Sequence, residues 1–166
     1  MKEITFIPIG IIHSPFKTIE NIPIQNIGAK GERGTIETFP EFASGLTDLD
    51  GFSHLILLYH FHKVNHFSLQ VKPFMDDTER GVFATRSPVR PNPIGLTVVK
   101  FIKRVDNLIT IEDIDMLDQT PLIDIKPFLP TIDDAQKVQL GWLTGKINDF
   151  KTRKSDIRFA KKKIKN

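Results

Sequence analysis

At 166 residues, 40% hydrophobic and 26% charged, the chain has the composition of one globular domain with a real core. No apolar run approaches the ~20 residues of a membrane helix, the opening residues enter a patterned segment and not a signal peptide, and the lack of cysteine excludes disulfides, thiolate metal sites and a cysteine nucleophile. The net charge of +3 hides an asymmetry: residues 146–166 hold nine Lys/Arg against two Asp, and the remainder is net acidic.

Short elements punctuated by Gly and Pro predict a mostly β protein, a small single-domain β-barrel over residues 1–133 followed by a helix and basic tail over 134–166. Ile4 to Ile12 reads as a strand, which His13-Ser14-Pro15 ends because proline cannot pair in a ladder. Residues 17–32 read as a long loop, a length usually reserved for function. Arg33 to Phe39 is a short strand, and Pro40 to Gly45 suits one helical turn with proline at its start. Ser53 to His62 is the strongest strand and, being apolar on both faces, is expected to be central. Ser68–Pro73 and Gly81–Thr85 are shorter strands, Gly95–Val105 a longer one, and an Asp-Asn turn leads into Leu108–Ile111. Pro121–Lys126 is the last predicted strand. Leu140, Leu143, Ile147 and Phe150 stand at helical spacing, so a docked C-terminal helix is expected there, with Trp142 covering the barrel mouth. The lysine-rich end either meets a polyanion, RNA first, or only solubilises the protein.

Three constellations carry chemistry. In Gly81–Thr97, prolines 88, 91 and 93 fix their own φ angles and hold Ser87, Arg90 and Asn92 extended. Arg86 and Arg90 flank this stiff segment. Cations on a rigid scaffold can bind carboxylate or phosphate in a defined direction; the competing reading is a surface turn whose arginines pair with nearby acids. Second, His54, His60 and His62 share parity on one predicted strand, a pattern compatible with a metal site but too common to carry one, and no metal is expected. Third, Glu112, Asp113, Asp115 and Asp118 crowd the end of a strand, as a binding site for a cation or ribose or as a solvated turn. No Gly-x-Gly-x-x-Gly follows a strand, and there is no phosphate-loop or Gly-x-Ser-x-Gly sequence, which argues against a doubly wound nucleotide-binding domain.

The stretches Ile9–Phe16, Gly51–Leu55 through Phe61-His62, Gly81–Thr97 and Asp115–Phe128 together resemble the TrmO (TsaA-like) family of tRNA methyltransferases, most specifically in Ala84-Thr85-Arg86-Ser87-Pro88 through Gly95 and in Thr120-Pro121-Leu122 through Pro127. The resemblance covers roughly residues 5–130. It implies a small β-barrel, a homodimer, S-adenosylmethionine bound near the subunit interface, and methylation of N6 on threonylcarbamoyladenosine beside the anticodon of tRNA. Carried over by position, it implies cofactor contacts from Gln25, Asn26, Ile27 and Gly28, from His62 and Lys63, from Arg86 and Leu96, and from Glu112, Asp113, Ile114 and Asp115. Methyl transfer to a neutral N6 must release a proton, for which His62 or Asp115 is the expected acceptor. The location expected is cytoplasmic, with no membrane partner. Two other readings stay open: a non-catalytic RNA-binding barrel with Phe61, Phe83 and Phe101 as stacking residues, and a metal hydrolase built on His54, His60 and His62. A basic tail of this composition is further expected to add RNA affinity without touching cofactor affinity.

Overall fold

The computed structural model describes residues 3–130 and 139–159. Among the described residues eight strands are formed: β1 (Gly10–His13), β2 (Arg33–Thr38), β3 (His54–His60), β4 (Gln70–Val71), β5 (Arg80–Gly81), β6 (Ile94–Val105), β7 (Leu108–Glu112) and β8 (Thr120–Pro127). Six of them close into an antiparallel barrel in the order β1-β2-β7-β6-β3-β8, with β8 returning to β1, while β4 and β5 pair outside it. Closure removes the unpaired edges that an open sheet of this size would present.

The period-2 pattern of the strands explains the core. Leu55, Leu57 and Tyr59 of β3, Val99 of β6, Ile109 and Ile111 of β7, Ile12, Ile36 and Leu122 all point inward and are buried. Each such aliphatic side chain contributes about 1.5–3 kcal/mol on burial. The outward residues of β3, Ile56 and Leu58, are only half-buried, so the expectation of a strand covered on both faces holds for one face alone. Across β6 they meet Val98 and Leu96, which leaves an apolar strip on the outside of the barrel. A second small core, Val71, Val82, Val89 and Phe159 with Val64 and Phe74 against it, fills the unit that carries β4 and β5.

Several boundaries differ from the sequence reading. The first strand begins at Gly10, not Ile4. A side chain at Gly10 would run into the Glu37 carbonyl, and the register with β2 and β8 starts at this residue. Pro8, with no N–H to give, stands just before it, and Ile4, Phe6 and Ile7 are exposed. Gly81–Thr85 is a strand only at Arg80–Gly81 and then becomes a 3-10 turn over Val82–Ala84. The helix expected through Leu140, Leu143, Ile147 and Phe150 is not found. Residues 139–159 instead form 3-10 turns at Gly141–Leu143, Ile147–Lys151 and Ile157–Phe159. Gly141 and Gly145 take φ of 55° and 80°, left-handed values that interrupt a right-handed helix despite the apolar spacing. Trp142 is not at the barrel mouth: its Nε1 donates to the Ala84 carbonyl at 2.8 Å, beside Arg80 and Lys146. Residues 131–138 and 160–166 of the expected helix-and-tail segment lie outside the described residues. Among the described residues, no helix is long and apolar enough to cross a membrane.

Candidate active site

The barrel and the 17–32 loop bring three sequence-distant segments to one place. The loop's 3-10 turn, Asn26–Gly28, lies against β6, where Asn26 Nδ2 donates to the Val98 carbonyl at 2.8 Å. Gln25, just before that turn, accepts from Arg86 Nη1 at 2.6 Å, so the loop and the proline-rich segment are joined. The third segment is the acidic run after β7. Asp113 takes a left-handed φ of 67° and turns the chain, which seats Ile114 in the core and directs Asp115 toward Thr97 and Asn26.

Asp115 is the electrostatic centre. Burial raises its carboxyl to about 6, while the Thr97 hydroxyl, the main-chain N–H groups of Asp115 and Asn26, and Arg86 pull the other way. Its Oδ1 is sealed from solvent and has no hydrogen-bond partner among the described residues. An acceptor left unmet in a buried position costs stability unless another group completes it. Tyr59 stands within electrostatic reach of both charges. Burial first, and the Asp115 carboxylate second, push its phenol well above the usual range against the opposing effect of Arg86, so it stays protonated.

The rest of the acidic run is already engaged. Glu112 pairs with Lys100 at 3.0 Å and Arg33 at 3.3 Å, and these cations hold its carboxyl below the usual range. Asp113 pairs with Lys100 at 3.4 Å and accepts the Gly31 N–H at 2.8 Å. Asp118 serves Lys17 and the Ser14 N–H. Of the four carboxylates, Asp115 is the one whose Oδ1 awaits a partner. Ile114 packs over Gly34 inside the barrel and its N–H donates to the Glu32 carbonyl at 3.3 Å, so neither its side chain nor its N–H is offered to a ligand. Leu96 and Ile27 are exposed apolar residues on the outer side.

His62 lies apart from this cluster. β3 ends at His60, and the His62 N–H turns back to the His60 carbonyl at 2.8 Å, so His62 lies outside the strand that carries His54 and His60. Burial first, then the nearby Lys63 and His60, lower its pKa, which keeps the ring neutral at pH 7. Its Nε2 is likewise buried and has no partner among the described residues. Among the described residues, no three His, Asp or Glu side chains are placed to share a metal ion.

The two arginines of the proline-rich segment differ in role. Arg90 turns inward, and its Nη1 lies 2.9 Å from the Thr85 carbonyl, 3.2 Å from that of Val82 and 3.4 Å from that of Ser87. It organises the loop. Arg86 is exposed, with Gln25 as its partner, and is the arginine free to meet an anion. Sequence reasoning missed Thr97 and Tyr59. In the sequence Thr97 only closes a motif and Tyr59 is one more apolar strand residue; barrel closure alone sets both beside Asp115.

The model of the tRNA-methyltransferase O N-terminal domain matches residues 11–134. A probable S-adenosyl-L-methionine-binding protein of Pyrococcus abyssi is 49% identical over 156 residues, covering 94% of this chain and 85% of that protein. The human tRNA (adenine(37)-N6)-methyltransferase is 36% identical over 138 residues, covering 79% of this chain but 31% of that protein. The crystal structure of TrmO from Pseudomonas aeruginosa superposes with a TM-score of 0.72 at 35% identity, covering 85% of this chain and 63% of that one. The chain therefore belongs to the TrmO N-terminal domain family.

Proposed function

We propose that this chain is an S-adenosylmethionine-dependent tRNA methyltransferase that methylates N6 of threonylcarbamoyladenosine beside the anticodon, in the cytoplasm and as a homodimer. The observation that carries this reading is Asp115, a half-buried residue whose carboxyl is raised to about 6 and whose enclosed Oδ1 has no partner among the described residues, set beside Thr97, Asn26 and the Arg86–Gln25 pair. The names of the relatives, an S-adenosyl-L-methionine-binding protein and tRNA methyltransferases, support the same chemistry.

The residues fit the cofactor. Arg86 is an exposed guanidinium with donors beyond the one given to Gln25, suited to the amino-acid carboxylate. The half-buried Asp115 carboxylate, the carbonyls of 112–115 and the loop Gln25, Asn26, Ile27 and Gly28 suit its hydroxyl, ammonium and adenine groups. Leu96 offers apolar surface, while His62 and Lys63 supply a neutral acceptor and an exposed cation. When bound, S-adenosylmethionine supplies an electrophilic methyl group. The protein's share is then alignment and proton removal. At pH 7 a carboxyl titrating near 6 is mostly ionised, so Asp115 can accept the proton that N6 loses and is protonated in turn. His62 Nε2, neutral and unpartnered, is the second candidate acceptor.

The homodimer is supported by the exposed Leu96, which with the half-buried Ile56 and Leu58 offers apolar surface on the outside of the barrel for a partner. Sedimentation giving a monomer at working concentration sinks that part.

The full chain should be incubated with S-adenosylmethionine and tRNA that carries or lacks threonylcarbamoyladenosine, followed by mass spectrometry of the nucleosides. A gain of one methyl on the modified nucleoside alone is expected. Methylation of unmodified adenosine would overturn the substrate, cofactor binding without transfer would leave a non-catalytic module, and absence of cofactor binding would leave an RNA-binding barrel.

A further inference from the structure

The segment 147–159 lies beyond the residues matched by the family model, yet it touches both halves of the site. Ser155 is its main attachment to the cofactor loop. The Ser155 N–H donates to the Ile22 carbonyl at 2.8 Å, and its carbonyl accepts the Asn21 N–H at 3.0 Å. Its Oγ accepts the Ile22 N–H at 2.9 Å and donates to the Ile19 carbonyl at 2.5 Å. Lys154 bridges to Pro23 next to it. Further along, the segment's backbone presses on the loop so closely that a Cβ on Gly28 would meet the Phe150 carbonyl at 2.8 Å. The Asn26–Gly28 turn is thereby held between β6, through Asn26 and the Val98 carbonyl, and this C-terminal segment.

The other end of the segment grips the unit that carries Arg86. Phe159 is buried among Val71, Val82 and Val89, with its ring 4.9 Å from that of Phe74. Arg158 donates to the Pro73 carbonyl at 2.9 Å and lies 4.8 Å over the Phe74 ring, steadied by Asp156 at 2.7 Å. Gln25 and Arg86, whose side chains meet at the site, are thus backed by one continuous stretch of chain.

We propose that residues 147–159 form a strap that fixes the Gln25–Gly28 loop against Arg86, and that Ser155 is the positioning residue through which the strap acts on the cofactor site. The link to the cofactor rests on the functional reading above; the mechanical link does not. A flexible loop that must be ordered on binding loses affinity to that ordering, and a strap that orders it beforehand spares the loss. Ser155 touches no ligand in this role. It sets the main chain three residues before Gln25.

The test uses the full chain and the variants Ser155→Ala and Ser155→Thr. Hydrogen exchange of the Gly28 and Ala29 amides, which bond to the Gln25 and Asn26 carbonyls, reads the loop without any ligand. In Ser155→Ala these amides should exchange about tenfold faster, while the barrel amides of Leu55 and Val99 stay protected. Calorimetric titration with S-adenosylmethionine should show about tenfold weaker binding, and turnover should show a raised KM with kcat little changed. Ser155→Thr, which keeps the hydroxyl, should restore most of each. Unchanged exchange at Gly28 and Ala29 overturns the strap. Faster exchange with unchanged affinity overturns the positioning role. If the wild type does not bind S-adenosylmethionine, the functional reading fails, and the strap stands or falls on exchange alone. If Ser155→Ala also deprotects Leu55 and Val99, the serine is a general stability residue and the proposal is wrong.

Discussion

Gly95 leaves the space that the Tyr59 ring occupies: a Cβ on Gly95 would overlap two carbons of that ring and stand 2.8 Å from its hydroxyl. The two residues face each other across the β3–β6 pair, and Tyr59 in turn packs edge-on against Phe61 with ring centroids 5.3 Å apart. A side chain at position 95 therefore moves the phenol that borders Asp115. We expect Gly95→Ala to destabilise the fold by about 1–3 kcal/mol, the usual cost of overpacking a closed core. Urea unfolding measures this, and a midpoint equal to wild type would show that Tyr59 has room to shift.

Arg86 and Arg90 should separate cleanly under substitution. Arg86→Ala removes an exposed cation and should leave folding unchanged, while cofactor affinity falls by about 10- to 150-fold, the equivalent of ~1.5–3 kcal/mol for removing a charge-assisted hydrogen bond. Arg90→Ala strips the donor from the carbonyls of Val82, Thr85 and Ser87 and should lower stability by a similar ~1.5–3 kcal/mol. Thermal unfolding and calorimetric titration of both variants decide it. Equal melting temperatures would mean that the prolines alone hold the loop.

Asp115→Asn sets activity against stability. The Asp115 carboxyl titrates near 6 when folded and near 3.8 when exposed, so the folded state binds its proton more tightly. Its ionisation therefore destabilises the fold as pH rises from about 4 to 6, and the penalty is complete above that, reaching roughly 3 kcal/mol. The amide cannot ionise. We expect Asp115→Asn to unfold at higher denaturant than wild type at pH 8 and at the same concentration at pH 3, while methyl transfer is abolished. In the wild type, transfer should climb with pH through about 6. A variant no more stable at pH 8 would show that an unseen partner satisfies Oδ1, and a fully active one would pass the proton to His62.

What could be read before folding depended on how local the cause was. The β6–β7 hairpin follows from Asp106-Asn107, where Asp106 adopts a left-handed φ of 53° and Asn107 reaches across to the Thr38 carbonyl. The residues around Arg86 and Asp115 were visible because stiff prolines and crowded acids are features of short stretches. Three things were not local. Which arginine turns inward depends on where three carbonyls converge. Which acid keeps a free oxygen depends on Lys100 and Arg33 claiming its neighbours. The apolar spacing of Leu140, Leu143 and Phe150 promised a helix, but the left-handed glycines 141 and 145 break that backbone.

The C-terminal basic residues divide in the same way into two groups. A tail that only meets RNA could be removed as a whole without effect on the cofactor, but residues 151–159 include Ser155, Arg158 and Phe159, which hold the loop and the outer unit. Residues 160–166 carry four lysines and no acid. Lysines without a base-reading partner neutralise phosphates in any sequence. Ending the chain at Phe159 should therefore weaken tRNA binding and lower the log–log salt slope by about 0.7–0.9 for each phosphate no longer neutralised, with S-adenosylmethionine affinity at the wild-type value. Ending it at Phe150 should lower the slope further and also weaken the cofactor. Binding of both truncations to tRNA and to S-adenosylmethionine across a salt series distinguishes the two. If the shorter chain keeps full cofactor affinity, the strap has no hold on the site; if the longer one keeps the full salt slope, the terminal lysines do not touch RNA.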